Sequence, residues 1–328
     1  MHAMRNRRQA LWALGSSLAP LAWAQTPGSD YPAKAIKVVV PFPAGGGGDN
    51  LARLVLSRLG PELGQPIVFE NIGGAGGNVG VASVTRAAPD GYTLSYGTNG
   101  THAINQTLYK NPGFDPLKNF EPLGRLSRIA ALVVVRPGLQ VSTMRELLDL
   151  LKKNPGKFSF ASAGNGTTSH LAGEILKAQA GVSAVHIPYR GGAAAMVDML
   201  ADRIDFMIDV MPSTAPQVRS GRLRGLAVST AQRVTSFPDI PTIAESGVPG
   251  FDVSAWDALF APAGTPKPVV DRLSQALAKV LRDEELRQQL AQRGSEPAPA
   301  SPEALRQFIH LEIERWGAAI RRSGASLD

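Results

Sequence analysis

The residues of this 328-residue chain with the clearest chemical potential are glycines and the small hydroxyls beside them. Ala44-Gly45-Gly46-Gly47-Gly48-Asp49, Gly164-Asn165-Gly166-Thr167-Thr168-Ser169 and Gly191-Gly192 each follow a short apolar run and precede a helical pattern. Glycine lets a backbone approach a ligand and turn its N–H groups toward it. A helix start adds partial positive charge and unpaired amides, a combination that suits an anion. Thr167, Thr168 and Ser169 add hydroxyl donors next to the second loop. Two such loops facing each other would hold a carboxylate without any arginine; the plainer alternative is that each is only a tight connection.

Other chemistries fare poorly. The first loop lacks the Lys-Ser/Thr of a P-loop, and Gly74-Ala75-Gly76-Gly77-Asn78-Val79 lacks the third glycine of a dinucleotide fingerprint. There is no cysteine nucleophile and no G-x-S-x-G elbow. Ser169 and His170 are neighbours on one helix, so their side chains point about 100° apart. The histidines, His2, His102, His170, His186 and His310, never fall at H-x-x-x-H spacing, which leaves no zinc pattern. No catalytic residue, metal or cofactor is therefore expected. Asp209 ends the apolar run Ile204 to Ile208, where a buried acid is costly unless paired or wet. It either orders water or meets a ligand ammonium in a cleft, or caps a helix before Pro212. His102, after Thr98-Asn99-Gly100-Thr101, lines the cleft or sits in a surface loop. Phe42, Tyr189 and Trp256 read as cleft walls or as plain core.

The elements that must position these groups alternate. Strand patterns at Ile36–Val40, 67–70 and 93–96 are interleaved with helices, one of them starting at Asp49 as N-cap and running to about Leu59. The alternation resumes with a strand at Ala131–Val135 and a helix at Thr143–Lys153 whose inner face is Met144, Leu147, Leu148 and Leu151. Strands at 158–161, 184–188, 204–209 and 223–229 follow, then helices from Lys267 to Ser323. Strand–helix alternation predicts mostly parallel sheets flanked by helices. Two such series give an α/β protein of two lobes, residues 25–131 with 254–328 and residues 132–253, joined by two crossings that would permit hinge closure. Open sheets of this kind bind ligands beyond the carboxyl ends of their strands.

The N-terminus carries Arg5, Arg7 and Arg8, then an apolar stretch to about Ala22, then Ala22-Trp23-Ala24. This is the pattern of a secretory signal peptide, residues 1–24, cleaved near Ala24. Removing it takes the formal charge from +7 to about +4, since it holds three arginines and no acid. That mild charge, with no run of basic residues, argues against nucleic acid as a partner. No later segment is long and apolar enough to span a bilayer. The expectation is a soluble periplasmic monomer without disulfides.

With these motifs in view, the chain resembles the Bug (TctC-like) receptors, the solute-binding components of tripartite tricarboxylate transporters. The resemblance runs from Tyr31-Pro32 and IKVVVPFPAGGGGD (36–49) through GAGGNVG (74–80), Pro89 to Leu94, Ala161 to Thr167 and Ser169 to Glu174. It continues in Pro188 to Gly192, PDIPTIAESGVPG (238–250) and Ala261 to Pro266. It implies a two-lobed periplasmic-binding-protein fold of the second type. It also implies capture of a carboxylate, such as an amino acid, an aromatic acid or a di- or tricarboxylate, between the loops at 42–46 and 164–169. The ligand-binding residues expected on these grounds are Phe42, Ala44, Gly45, Gly46, Asp49, Thr98, Asn99, Thr101, His102, Ala163, Gly164, Gly166, Thr167, Thr168, Ser169, Tyr189 and Asp209. A membrane permease is the implied partner. The rival readings are a sensor subunit signalling to a membrane kinase, and a hydrolytic enzyme on the same fold.

Overall fold

The computed structural model describes residues 31–323; the expected signal peptide lies outside them. The first lobe opens with β1 (Ile36–Val40), α1 (Gly47–Leu56), α2 (Leu59–Leu63), β2 (Ile67–Asn71), α3 (Asn78–Val84), β3 (Thr93–Thr98) and α4 (Asn105–Leu108). The long strand β4 (Phe120–Val135) then leaves it. The second lobe comprises α5 (Met144–Lys153), β5 (Ser159–Ser162), α6 (Thr168–Ala180), β6 (Val185–Pro188), α7 (Gly192–Leu200), β7 (Phe206–Val210), α8 (Met211–Arg219) and β8 (Arg224–Val228). The chain returns through β9 (Ser254–Pro262) to α9 (Lys267–Val280), α10 (Glu284–Gln292), β10 (Ser295–Ala300) and α11 (Pro302–Ser323).

Strand order is β2-β1-β3-β9-β4-β7-β5-β6, with β10 and β8 also on β4. The first half of β4 pairs with β9 and β10, and its last residues, from Ala131 and Leu132 on, pair with β7 and β8. One strand thus belongs to both sheets. The sheets are mixed rather than mostly parallel: β1, β2 and β3 run parallel, as do β5, β6 and β7, but every pairing of β4 and β9 is antiparallel. The reason is connectivity. A strand that leaves one lobe and a strand that returns to it run in opposite senses, and they lie side by side at the centre.

Where the pattern was strong, local structure follows it. Thr143, the N-cap, accepts from the Glu146 amide at 3.2 Å, a cap worth about 1 kcal/mol, and Glu146 accepts from the amide of the preceding Ser142 at 2.6 Å. Met144, Leu147, Leu148 and Leu151 of that helix are buried. At the crossing, Ser229 clasps both connections. Its hydroxyl accepts from the Ala131 amide at 3.0 Å and donates to the Val253 carbonyl at 2.6 Å. Its backbone pairs with the same two residues, each bond 2.9 Å long.

Candidate functional site

The site is built from strand ends. After β1 the chain turns through Phe42 and the exposed Ala44 and Gly45, with Gly45 at φ +82°, and α1 begins at Gly47 with Gly46 as N-cap. Asp49 is therefore the third helical residue, not the cap. Its carboxylate reaches back to the Gly45 amide (2.9 Å) and also accepts from Asn71 (2.8 Å) and Arg53 (3.0 Å). Burial alone would raise its pKa, but the bonds from Arg53, Asn71 and Gly45 outweigh that and hold it below the usual carboxylate value. A saturated carboxylate of this kind shapes the loop and has nothing left for a ligand.

After β5 the chain turns at Gly164 and Gly166, at φ +124° and +80°, and α6 starts at Thr168 with Thr167 as N-cap. Thr167 donates to the Gly164 carbonyl (2.6 Å), and Ser169 accepts from the Ala163 amide (2.8 Å). Thr168 reaches across to the first lobe and donates to Asn99 Oδ1 at 2.9 Å. Asn99, just past β3, is fully buried, and its Nδ2 has no acceptor.

These loops enclose one cavity of about 70 Å³ between the lobes. Phe42, Gly46, Thr98, Asn99, Ala163, Thr167, Thr168, Ser169 and Asp209 line it, as does Trp256. The wall also includes Gly47, Gly48 and Gly192 of the glycine loops, and residues that the sequence did not single out for the site: Leu51, Tyr96, Ile129, Ala193, Val210, Ser213 and Ala255. Gly192 was readable as a third glycine loop, and it opens α7 with Gly191 as N-cap. No lysine or arginine lines the cavity. Its positive field comes instead from the starts of α1, α6, α7 and α8, each of which contributes a wall residue in its first turn. Asp209, at the end of β7, is pushed up to about 7 by burial, with the Val210 amide and the Ser213 hydroxyl pulling the other way. It is not a helix cap: Val210 holds that position on α8. Tyr96 is fixed beneath the cavity by a 2.6 Å hydrogen bond to buried Asp257, which also accepts from the Ser127 amide and hydroxyl.

The structure moves other expected residues off this wall. Thr101 bonds back to the Thr98 amide at 3.0 Å. His102 has no exposure and stacks on Phe260 with centroids 4.0 Å apart, beside Phe114 and Phe120. Burial drives it down to about 3, so it is a neutral core side chain. A short helical turn, Gly100–Ile104, rotates both residues inward. Gly164 and Tyr189 line an outer vestibule, bounded also by Gly73–Gly77 and Arg190. The Tyr189 hydroxyl is engaged by Asp198 at 2.7 Å. Gly166 is buried against Asn105, where a Cβ would collide with the Asn105 amide oxygen. Ala44 and Gly45 face outward.

Among the described residues, His170, Glu174 and His186 bring potential metal-ligand atoms within 4.8 Å of one another. His170 and Glu174 are four apart on α6, a mixed His/Glu spacing that paired histidines alone do not reveal. The existing bonds disfavour a metal. Glu174 is already neutralised by Lys177 at 2.8 Å, and His170 Nδ1 accepts from the Gly166 amide, which leaves the proton on the nitrogen that would bind the ion. Nor is there a hydrolytic relay here: Ser162 touches His186 at 2.7 Å, but Ser162 is fully buried and lines neither cavity nor vestibule.

Comparison with known proteins gives a consistent result. The structure of the periplasmic binding protein BugD is similar to this chain with a TM-score of 0.87 at 40% identity, covering 90% of this chain and 99% of that one. An R. palustris protein solved with adipate aligns at 0.88 and 34% identity, covering 90% and 99%. MatC from Rhodopseudomonas palustris, solved with bound malate, aligns at 0.83 and 32% identity, covering 88% and 100%. The family model described as "Tripartite tricarboxylate transporter family receptor" matches residues 51–325. With a match over most of its length and a cavity walled by helix starts from both lobes, this chain belongs to the tripartite tricarboxylate transporter receptor family.

Proposed function

We propose that the protein captures a small carboxylate between its lobes in the periplasm and delivers it unchanged to a tripartite tricarboxylate-type permease. The observation that carries this reading is Asn99. A fully buried amide donor without an acceptor is costly, and this one lines a cavity ringed by helix starts. A carboxylate oxygen supplies the missing acceptor, and the Thr168 bond holds the amide in the orientation to meet it. Adipate and malate, the ligands of two relatives, are both carboxylates.

The wall narrows the class. Leu51, Tyr96, Ile129 and Trp256 offer apolar contact, and no cation awaits a second carboxylate inside. The ligand expected is compact, with one carboxylate held by helix-start amides and Asn99 and no second carboxylate paired with a lysine or arginine. An ammonium, hydroxyl or carbonyl group on it would meet Asp209, which accepts as a carboxylate and donates when protonated. Ser169 spends its hydroxyl on the Ala163 amide and Thr167, and no base is bonded to it, so binding without chemistry fits the site. The lobe boundaries at 131/132 and 253/254 serve as the hinge, and ligand contacts from both lobes favour the closed form. The protein works as a monomer.

Native mass spectrometry of protein purified without denaturation should reveal a co-purified carboxylic acid. In a thermal-shift panel of carboxylic acids, a true ligand at about 100 times its Kd should add about 2.7 kcal/mol of stability. Stabilisation by uncharged solutes alone would overturn the reading. Conversion of the acid on incubation would point to an enzyme instead.

A further inference from the structure

Two imidazoles stack behind the Gly164–Ser169 loop. His170 on α6 and His186 on β6 have ring centroids 4.3 Å apart and planes 18° from parallel, and neither lines the cavity or the vestibule. Both rings reach the loop. The Gly166 amide donates to His170 Nδ1 at 3.3 Å. His186 Nε2 lies 2.7 Å from Ser162 Oγ, which accepts from the Gly164 amide at 3.1 Å. Gly164 and Gly166 have left-handed or extended positive-φ backbones and no side chains, so the direction of their amides is set by such outside partners. The same loop carries contacts to the other lobe, from Tyr109 to the Asn165 carbonyl at 3.0 Å and from Thr168 to Asn99.

We propose that the stacked His170–His186 pair positions this loop for anion capture, and does so only while both imidazoles are neutral. The proposal deepens the carboxylate-receptor reading and rests on it. The chemistry is a reversal of hydrogen-bond sense. His170 Nδ1 accepts from Gly166; a proton added there turns the acceptor into a donor and sets two N–H groups head to head. Two stacked imidazolium rings would also repel. Burial lowers both pKa values to about 4, Lys177 adds to this at each ring, the partner histidine adds to it at His186, and Glu174 opposes it there. β5 carries no titratable side chain, β6 only His186 and β7 only Asp209, and α11, which packs on α6, brings no charge that shifts either ring. A histidine held below its free value of 6.5 favours the folded state fully above that pH. This contribution is lost as pH falls from about 6.5 toward about 4, because the unfolded chain then binds more protons.

The test reads the loop directly. In ligand-free protein labelled with nitrogen-15 at glycine, an NMR titration from about pH 7.5 to 4 should move the Gly164 and Gly166 amides together with the two imidazoles. His170→Asn keeps an acceptor near the Nδ1 position but cannot titrate, so the Gly166 amide should hold its neutral-pH position throughout. His170→Ala should displace that amide already at neutral pH. With malate or adipate as probe, His170→Ala should bind about three- to tenfold more weakly, and His170→Asn within about twofold of wild type, a split that simple loss of packing would not produce. The proposal fails if the Gly166 amide titrates in His170→Asn as it does in wild type, or if the imidazoles titrate while both amides stay still. Because the amide response needs no ligand, it is judged apart from which carboxylate the protein binds.

Discussion

Gly47→Ala asks whether the lobes close by direct contact at the helix starts. Gly47 opens α1 on one lobe and faces α8 on the other. A Cβ there would lie 2.6 Å from Ser213 Oγ and 2.7 Å from Val210 Cγ2. Both are well inside ordinary contact, so the lobes would have to part by roughly 0.7 Å. The Ser213 hydroxyl can rotate away, but Val210 is β-branched and held near one χ1 rotamer. Overpacking of this kind costs about 1–3 kcal/mol. The contact exists only when the lobes are together, so the cost falls on the ligand-bound form and should weaken binding about 5- to 150-fold. Ligand-free stability should stay level or rise by roughly 0.5–1 kcal/mol, because Gly47 already has helical backbone and alanine favours it. Gly60→Ala is the control: its Cβ would meet the Gln65 carbonyl of the same lobe at 3.3 Å, away from the cavity, and should affect both forms alike. Calorimetric titration gives the affinities, and melts with and without ligand give the stabilities. Unchanged affinity in Gly47→Ala, or an equal stability loss without ligand, would refute the reasoning.

Three further outcomes are expected. Thr168→Val should leave the buried Asn99 carbonyl oxygen unpaired, costing about 1–3 kcal/mol in the closed form, which calorimetry would read as an about 5- to 150-fold affinity loss; an unchanged Kd would remove that bond from the closing mechanism. Asp209, raised to about 7 by burial, keeps its proton in the folded protein while an unfolded chain with a pKa near 3.8 has lost it, so its contribution to stability falls as pH rises from about 4 through 7. Asp209→Asn should therefore stabilise by roughly a few kcal/mol in urea at about pH 8 and little at about pH 4, and equal gains at both would contradict this. His102→Leu should lower Tm by several degrees yet leave carboxylate affinity within about twofold, as expected for a core residue; lost affinity at unchanged stability would return His102 to the binding wall.

The parts of this fold legible in the sequence are those in which one signal dominates. Met144, Leu147, Leu148 and Leu151 repeat at helical spacing behind Thr143, and the structure buries all four. The glycine loops stood out because positive φ at Gly45, Gly164 and Gly166 demands that residue. Signals that compete were misread. β10 has the sequence SEPAPA, whose two prolines suggest a loop, yet it pairs with β4 around a register shift. The first half of β4 contains Pro122, Gly124 and two charged residues, and only its partners β9 and β10 make it a strand. His102 looked cleft-facing because its neighbours are polar, but the short turn after β3 buries it among phenylalanines. Leu51, Ile129 and Ser213 joined the wall through tertiary approach alone, which no local pattern encodes.

Ser229 gives the molecule a single bearing. Since one side chain bonds to both connections that pass between the halves, movement of one would be carried to the other. The size of the cargo would be limited by wall side chains such as Leu51, Ile129 and Ala193. Cargo fit and mechanical travel are thereby coupled, because Ile129 and Ala255 of the wall lie two residues from the Ala131 and Val253 that Ser229 holds.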